Sequence, residues 1–200
     1  MTRKLTYGGL LIVLLLGAIT AWVYESRLTS DSSINPTVTV GGPFSLIDQN
    51  GVRRSQDDFA GSYMLVNFGY TFCPDVCPTA LRDISAAIDL LGADGEKVIP
   101  VFITIDPERD TPEILNDYLS YFTTINILGL TGTLDEIDQV AKQYSVFYKK
   151  VPLESAAGYL MDHSTWLYLV DQHGELRYRF RDSDTVEEMV AGIQQLFPTN

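Results

Sequence analysis

Short apolar segments alternate with amphipathic helical segments through the middle of this chain, and that alternation limits the folds it can adopt. Residues 63–68 and 98–105 are nearly continuous apolar runs, as expected for strands buried in a sheet. Residues 125–130 form a third candidate strand. After each run, apolar side chains recur every three or four residues, which predicts helices. Because strands joined through helices pair in parallel, the pattern predicts an α/β sheet with helical crossovers.

Antiparallel elements are predicted on either side of this alternating region. Residues 44–47 and 52–54 flank an Asn50-Gly51 step, a common hairpin turn. Residues 166–170 and 176–180 form a second predicted hairpin, and an amphipathic helix follows it. The sequence therefore predicts an α/β mixed sheet flanked by helices, with an N-terminal β-hairpin. A cysteine pair, Cys73 and Cys77, leads into the first predicted helix, and this combination is the thioredoxin-like arrangement.

The first 24 residues differ in character from the rest of the chain. Residues 7–24 carry no charge, and as a helix they would be roughly 27 Å long, close to the hydrocarbon thickness of a bilayer. Arg3 and Lys4 precede them, which places the N-terminus in the cytoplasm and the remaining chain outside. A cleaved signal peptide is the competing interpretation, although signal h-regions are usually shorter, about 7–15 residues.

We therefore predict three parts: a cytoplasmic start and transmembrane signal anchor over residues 1–24, a polar tether over 25–40, and one folded domain over 41–200. In a Gram-negative bacterium this domain would lie on the periplasmic side of the cytoplasmic membrane. The chain has 14 Lys+Arg against 26 Asp+Glu, a formal net charge of −12. Nucleic-acid binding needs clustered positive charge, so the composition argues against it.

The two cysteines, Cys73 and Cys77, lie between a predicted strand and a helix expected to begin near Thr79. Pro78 suits a first helical turn, and the positive end of the helix dipole favours thiolates. The pair could form a structural disulfide, act as a redox-active dithiol, or supply two thiolate ligands to one metal ion. A disulfide closing so short a loop would stabilise the fold little, which favours a chemical role.

The chain has two histidines. His173 lies in the turn of the second predicted hairpin, where a solvated side chain is expected. His163 precedes the strand at 166–170, and in a thioredoxin-like sheet that loop lies against the cysteine loop. Two thiolates and one imidazole suit three-coordinate Cu(I), whereas structural zinc takes four ligands. Asp75 or Asp162 could complete a site for zinc or Cu(II).

Three separated motifs occur in order along the chain: Phe68 to Pro78, Asp106 to Pro112, and Tyr159 to Ser164. They resemble the Sco/SenC family, copper chaperones for the CuA centre of cytochrome c oxidase, and the similarity extends from about residue 42 to 197. The resemblance implies that Cys73, Cys77 and His163 bind copper, as Cu(I) or Cu(II). It also implies that the cysteines cycle through a disulfide and that residues 106–112 border the site.

Two functions are consistent with these residues. The first is a membrane-anchored metallochaperone that hands copper to the copper-bearing oxidase subunit, with a thiol reductant or another copper carrier as further partners. The alternative is an enzyme, a thiol–disulfide oxidoreductase that reduces cysteines of the oxidase or another exported target. That activity needs Cys73 and Cys77 but not His163. A peroxiredoxin-like peroxidase fits less well, because such enzymes place a threonine three residues before the reactive cysteine and Thr71 lies two before Cys73.

Overall fold

A computed structural model of the chain describes residues 40–154 and 158–197. The predicted anchor and all but the last residue of the predicted tether lie outside the described residues. Within the described ranges, no helix combines the length and apolar character needed to cross a bilayer.

The described residues contain nine strands and four α-helices. The strands are β1 (Ser45–Asp48), β2 (Arg53–Ser55), β3 (Tyr63–Gly69), β4 (Val98–Thr104), β5 (Leu128–Thr131), β6 (Tyr148–Pro152), β7 (Tyr159–His163), β8 (Leu167–Val170) and β9 (Leu176–Phe180). The helices are α1 (Val76–Leu90), α2 (Pro112–Leu119), α3 (Leu134–Gln143) and α4 (Val186–Gln194).

Seven of the strands form one mixed sheet, in the order β2-β1-β5-β4-β3-β8-β9. β4 pairs in parallel with β3 and with β5. The remaining neighbours are antiparallel, including the β1–β2 and β8–β9 hairpins. This arrangement confirms the predicted mixed sheet and its N-terminal hairpin.

The central strand β3 explains where the site lies. All seven residues of β3 are buried, because the strand has neighbours on both sides and is covered on both faces. β3 and β4 end side by side, with Gly69 opposite Thr104. The loops that follow these parallel strands therefore leave the sheet at the same edge, where ligand sites of α/β sheets usually lie.

Capping residues mark where two of the helices begin. The Thr111 side chain accepts a hydrogen bond from the Ile114 N–H, and Pro112 is the first residue of α2. Thr133 and Glu136 form a reciprocal capping box at the start of α3. Such caps each stabilise a helix by about 1 kcal/mol.

Two sequence-based expectations are wrong in detail. α1 begins at Val76 rather than near Thr79, so Cys77 lies within the helix. Pro78 is tolerated there because first-turn N–H groups have no intrahelical acceptor.

The structure also contains an unpredicted two-stranded sheet, β6–β7. His163 is therefore the last residue of a strand and not part of a loop. Four of the five β6 residues are exposed, so this strand has no alternating apolar pattern to reveal it.

Candidate metal centre

The two cysteines are held close together by the first turn of α1. Cys73 is half-buried in the loop after β3, Cys77 is buried, and both are free thiols. The backbone N–H of Cys77 donates a hydrogen bond to the Cys73 sulfur at 3.4 Å. An amide at a helix N-terminus stabilises a negatively charged acceptor, so this geometry favours a thiolate at Cys73.

His163 brings an imidazole to the cysteine pair from the end of β7. Its Nε2 atom lies 3.8 Å from the Cys77 sulfur, and its Nδ1 atom lies 2.8 Å from the carbonyl oxygen of Ser164. Because a carbonyl only accepts hydrogen bonds, Nδ1 carries the proton. The Nε2 lone pair is therefore directed toward the cysteines and is available to a metal ion.

The ligand atoms of Cys73, Cys77 and His163 all lie within 4.8 Å of one another. Within residues 40–154 and 158–197 they are the only such group of three or more His, Cys, Asp or Glu side chains. Asp75 and Asp162, which the sequence offers as further ligands, do not belong to it. His173 is exposed in the β8–β9 turn, as predicted.

The two thiols differ in acidity because they share a hydrogen bond. Donation from the Cys77 thiol is the main cause that lowers the pKa of Cys73 to about 3, and His163 and backbone amides contribute. The same hydrogen bond, together with burial, raises the pKa of Cys77. In the metal-free protein, Cys73 is therefore the thiolate and Cys77 holds the proton.

This acidity predicts the pH dependence of alkylation. The reaction of Cys73 with iodoacetamide should change by no more than about twofold between pH 7 and pH 5, because the thiol stays ionised throughout. An ordinary thiol such as glutathione should slow about 100-fold over this range. In the Cys77→Ala variant the main hydrogen bond is lost, so the rate should again fall with pH. A wild-type rate that falls like that of glutathione would contradict the assignment.

Gly69, the last residue of β3, provides space for the Cys77 sulfur, a role that the sequence pattern around it does not indicate. A Cβ atom at this position would lie 2.8 Å from the Cys77 sulfur and 2.8 Å from a ring carbon of Phe102. Real Cβ atoms do not approach other heavy atoms so closely. Only glycine lets the central strand pass directly beneath this cysteine.

We expect Gly69→Ala to displace the Cys77 sulfur, because Phe102 blocks the other direction of relaxation. Metal affinity should fall at least about tenfold, and overpacking should cost about 1–3 kcal/mol of stability. Metal titration and thermal denaturation would measure the two effects. Gly51→Ala is a control for the titration alone: Gly51 lies in the β1–β2 turn with open space around it, and its φ of 78° means that this substitution also costs some stability. Unchanged metal affinity in Gly69→Ala would refute the steric argument.

Arg109 joins the three segments around the site. Its Nε donates to the Asp106 carboxylate at 2.5 Å, and its Nη1 donates to the Tyr159 carbonyl at 3.1 Å. The guanidinium also lies 3.7 Å from the centre of the Tyr159 ring and 5.1 Å from that of Phe72. The Tyr159 hydroxyl donates to Asp106 at 2.9 Å. Arg109 thus ties the loop after β4 to the strand that carries His163 and to the cysteine loop.

A second network lies beneath the cysteine loop, centred on the fully buried Asp110. Its carboxylate accepts hydrogen bonds from the Thr71 N–H, the Thr71 hydroxyl and the Thr104 hydroxyl. Burial raises the pKa of Asp110, although these donors act in the opposite direction. Because Thr71 lies two residues before Cys73, Asp110 anchors the cysteine loop to the end of β4.

The comparisons with known proteins agree with this geometry. A family model described as SCO1/SenC matches residues 32–197. The chain belongs to the SCO1/SenC family. A SCO2-like protein of Rickettsia felis is 41% identical over 154 residues, which cover 76% of this chain and 75% of that protein.

Solved Sco structures share the fold. Bradyrhizobium japonicum ScoI with copper bound is 42% identical, with a TM-score of 0.72, and the match covers 79% of this chain and 99% of that one. Yeast Sco1 with copper bound is 35% identical, with a TM-score of 0.72, and the match covers 79% of this chain and 88% of that one. These Sco relatives therefore carry copper, and this Sco chain has a Cys-Cys-His group able to hold a metal ion.

Proposed function

We propose that this chain binds copper through Cys73, Cys77 and His163 and serves as a copper chaperone. The observation that carries the proposal is the convergence of two sulfurs and one imidazole nitrogen within 4.8 Å in a Sco chain. Thiolate and imidazole ligands suit Cu(I), which accepts low coordination numbers. The copper-bound state of the two solved relatives supports the same choice of metal.

The unequal exposure of the ligands suits a protein that releases its cargo. Cys77 is buried, whereas Cys73 is partly open to solvent and the side chain of the preceding residue, Phe72, is half-exposed. A thiol from a partner would therefore reach the Cys73 side of the site first. Because burial and the hydrogen bond to Cys73 raise the pKa of Cys77, copper binding requires this thiol to lose its proton. Copper affinity should therefore rise with pH.

Copper titration followed by X-ray absorption spectroscopy tests this proposal directly. The reduced full chain should bind one copper ion, with two sulfur and one or two nitrogen or oxygen ligands. The same chain oxidised to the Cys73–Cys77 disulfide is the matched control, and it should bind at least about 100-fold more weakly because a disulfide supplies no thiolate. A copper site without sulfur, or equal affinity in both redox states, would refute the ligand set.

We further propose that the copper is destined for the CuA centre of cytochrome c oxidase, with the copper-bearing subunit as partner. This step rests on the family resemblance. The uncharged segment at residues 7–24 supports a membrane anchor that would keep the domain on the exported side of the membrane. Loss of oxidase assembly in cells lacking the chain, restored by wild type but not by Cys73→Ser, would support this destination.

A thiol–disulfide oxidoreductase remains the second candidate, and the acidity of Cys73 favours it. A thiolate that persists at neutral pH can attack a target disulfide, with Cys77 as the resolving thiol. Such turnover would not require His163 as a ligand. Catalytic reduction of a mixed-disulfide peptide by a chain without measurable copper affinity would favour this activity over the chaperone.

A further inference from the structure

A cavity of about 200 Å³ lies beside the metal centre, on the side of Cys77 and His163. Its floor is formed by Asn67 on β3 and Leu167 on β8, which are paired across the sheet. Its walls come from the first turns of α1, from Met189 on α4 and from the segment between β9 and α4. The volume is below that of typical drug-sized ligand pockets, so it suits a smaller molecule.

Asn67 is the unusual residue of this floor. It is the one amide side chain in the largely apolar strand β3, and it is 3% exposed. Its carbonyl oxygen has no hydrogen-bond partner among the described residues. Asn67 lies two positions before Gly69 and so points to the same face of the sheet, toward Cys77. Since buried polar groups are normally paired, this amide indicates a polar guest in the cavity.

The rim of the cavity carries opposite charges that do not pair with each other. Within residues 40–154 and 158–197, neither the Arg181 guanidinium nor the half-buried Asp83 carboxylate has a hydrogen-bond or ion-pair partner. Asp75 and Asp182 add two further carboxylates at the rim, and both are exposed. One cation and three carboxylates around this small cavity offer partners for both charged groups of a zwitterion.

We propose that this cavity binds a small α-amino acid. Arg181 would bind the carboxylate of the amino acid, and Asp83 would bind its ammonium group. The Asn67 carbonyl oxygen would accept a hydrogen bond from the ligand at the cavity floor. The side chain of the bound amino acid would then face Cys77 and His163. A thiol at that position would share the preference of these two residues for soft metal ions, so free cysteine is the best-matched ligand.

Binding of L-cysteine to the reduced, copper-free full chain tests the proposal without involving the metal. Isotope-edited NMR should show saturable shifts of the Asn67 side-chain amide. Cysteamine lacks the carboxylate and 3-mercaptopropionate lacks the ammonium group, so each should bind at least about tenfold more weakly. L-Serine should shift the same amide, because it carries both charged groups.

Two variants and one control complete the design. Arg181→Gln and Asp83→Asn should each weaken L-cysteine binding about tenfold. Arg177→Gln should not, because Arg177 lies near Asp171 and Glu175 and away from the cavity. Absence of a saturable shift, equally tight binding of cysteamine, or unchanged affinity in both variants would overturn the proposal. Both variants should bind copper as tightly as the wild type. A wrong cysteine-binding proposal can therefore be told apart from a wrong assignment of the copper ligands.

Discussion

Replacing His163 by alanine is expected to weaken copper binding by more than about 100-fold. Loss of an outer-shell partner of a metal ligand already costs about 10–100-fold, and His163 is proposed as a ligand itself. Its Nε2 faces the Cys77 sulfur at 3.8 Å, and the described residues offer no second imidazole at the site. Competition with a calibrated Cu(I) chelator would measure the affinity of the reduced full chain.

His173→Ala is the matched control for this experiment, because it removes the other histidine from an exposed turn. It should bind copper like the wild type. The His163→Ala variant should keep its thermal stability, since the hydrogen bond that its side chain donates is to the adjacent carbonyl of Ser164. Full copper affinity in His163→Ala would remove histidine from the site. It would also strengthen the oxidoreductase hypothesis, which requires only the cysteines.

Replacing Asp110 by alanine is expected to destabilise the fold by about 2–4 kcal/mol. The change leaves the Thr71 and Thr104 donors without their acceptor beneath the cysteine loop, and each unsatisfied buried group costs about 1–3 kcal/mol. It also removes a fully buried side chain from a packed region. Urea denaturation of the reduced, metal-free protein would give the difference in free energy of unfolding.

Asp117→Ala provides the comparison, because Asp117 is exposed on α2. That variant should stay within about 0.5 kcal/mol of the wild type. Below its unfolding temperature, Asp110→Ala should also bind copper more weakly, since Thr71 and therefore Cys73 lose their anchor. A free energy of unfolding equal to that of Asp117→Ala would show that the threonine donors find other acceptors.

The sequence predicts the main sheet and the convergence of Cys73, Cys77 and His163 because both depend on properties visible in single residues. Burial of β3 and β4 on both faces requires apolar runs, and these runs are plain in the sequence. Cysteine and histidine are the residues that bind soft metals, and the chain contains only two of each. Few other sets of candidate ligands for a soft metal were therefore available.

The surroundings of the site depend on contacts between distant segments, which a single sequence does not reveal. In the β6–β7 sheet the contacts with the core come mainly from β7, and four of the five residues of β6 are exposed, so β6 lacks a hydrophobic period. Asn67 is recognisable only as a polar residue within a buried run. Gly69 has an unremarkable backbone, and its role appears only when the Cys77 sulfur is seen directly above it.

The contacts of Arg109 have a consequence for the rate at which a metal could be captured. Arg109, Asp106 and Tyr159 hold the strand ending at His163 against the cysteine loop through contacts in which none of the three candidate ligands takes part. The conformational entropy of ordering these segments is therefore lost when the chain folds and not when the metal arrives. Association should consequently be a single kinetic phase limited by encounter and by departure of the Cys77 proton, without a slower phase for closing the loop.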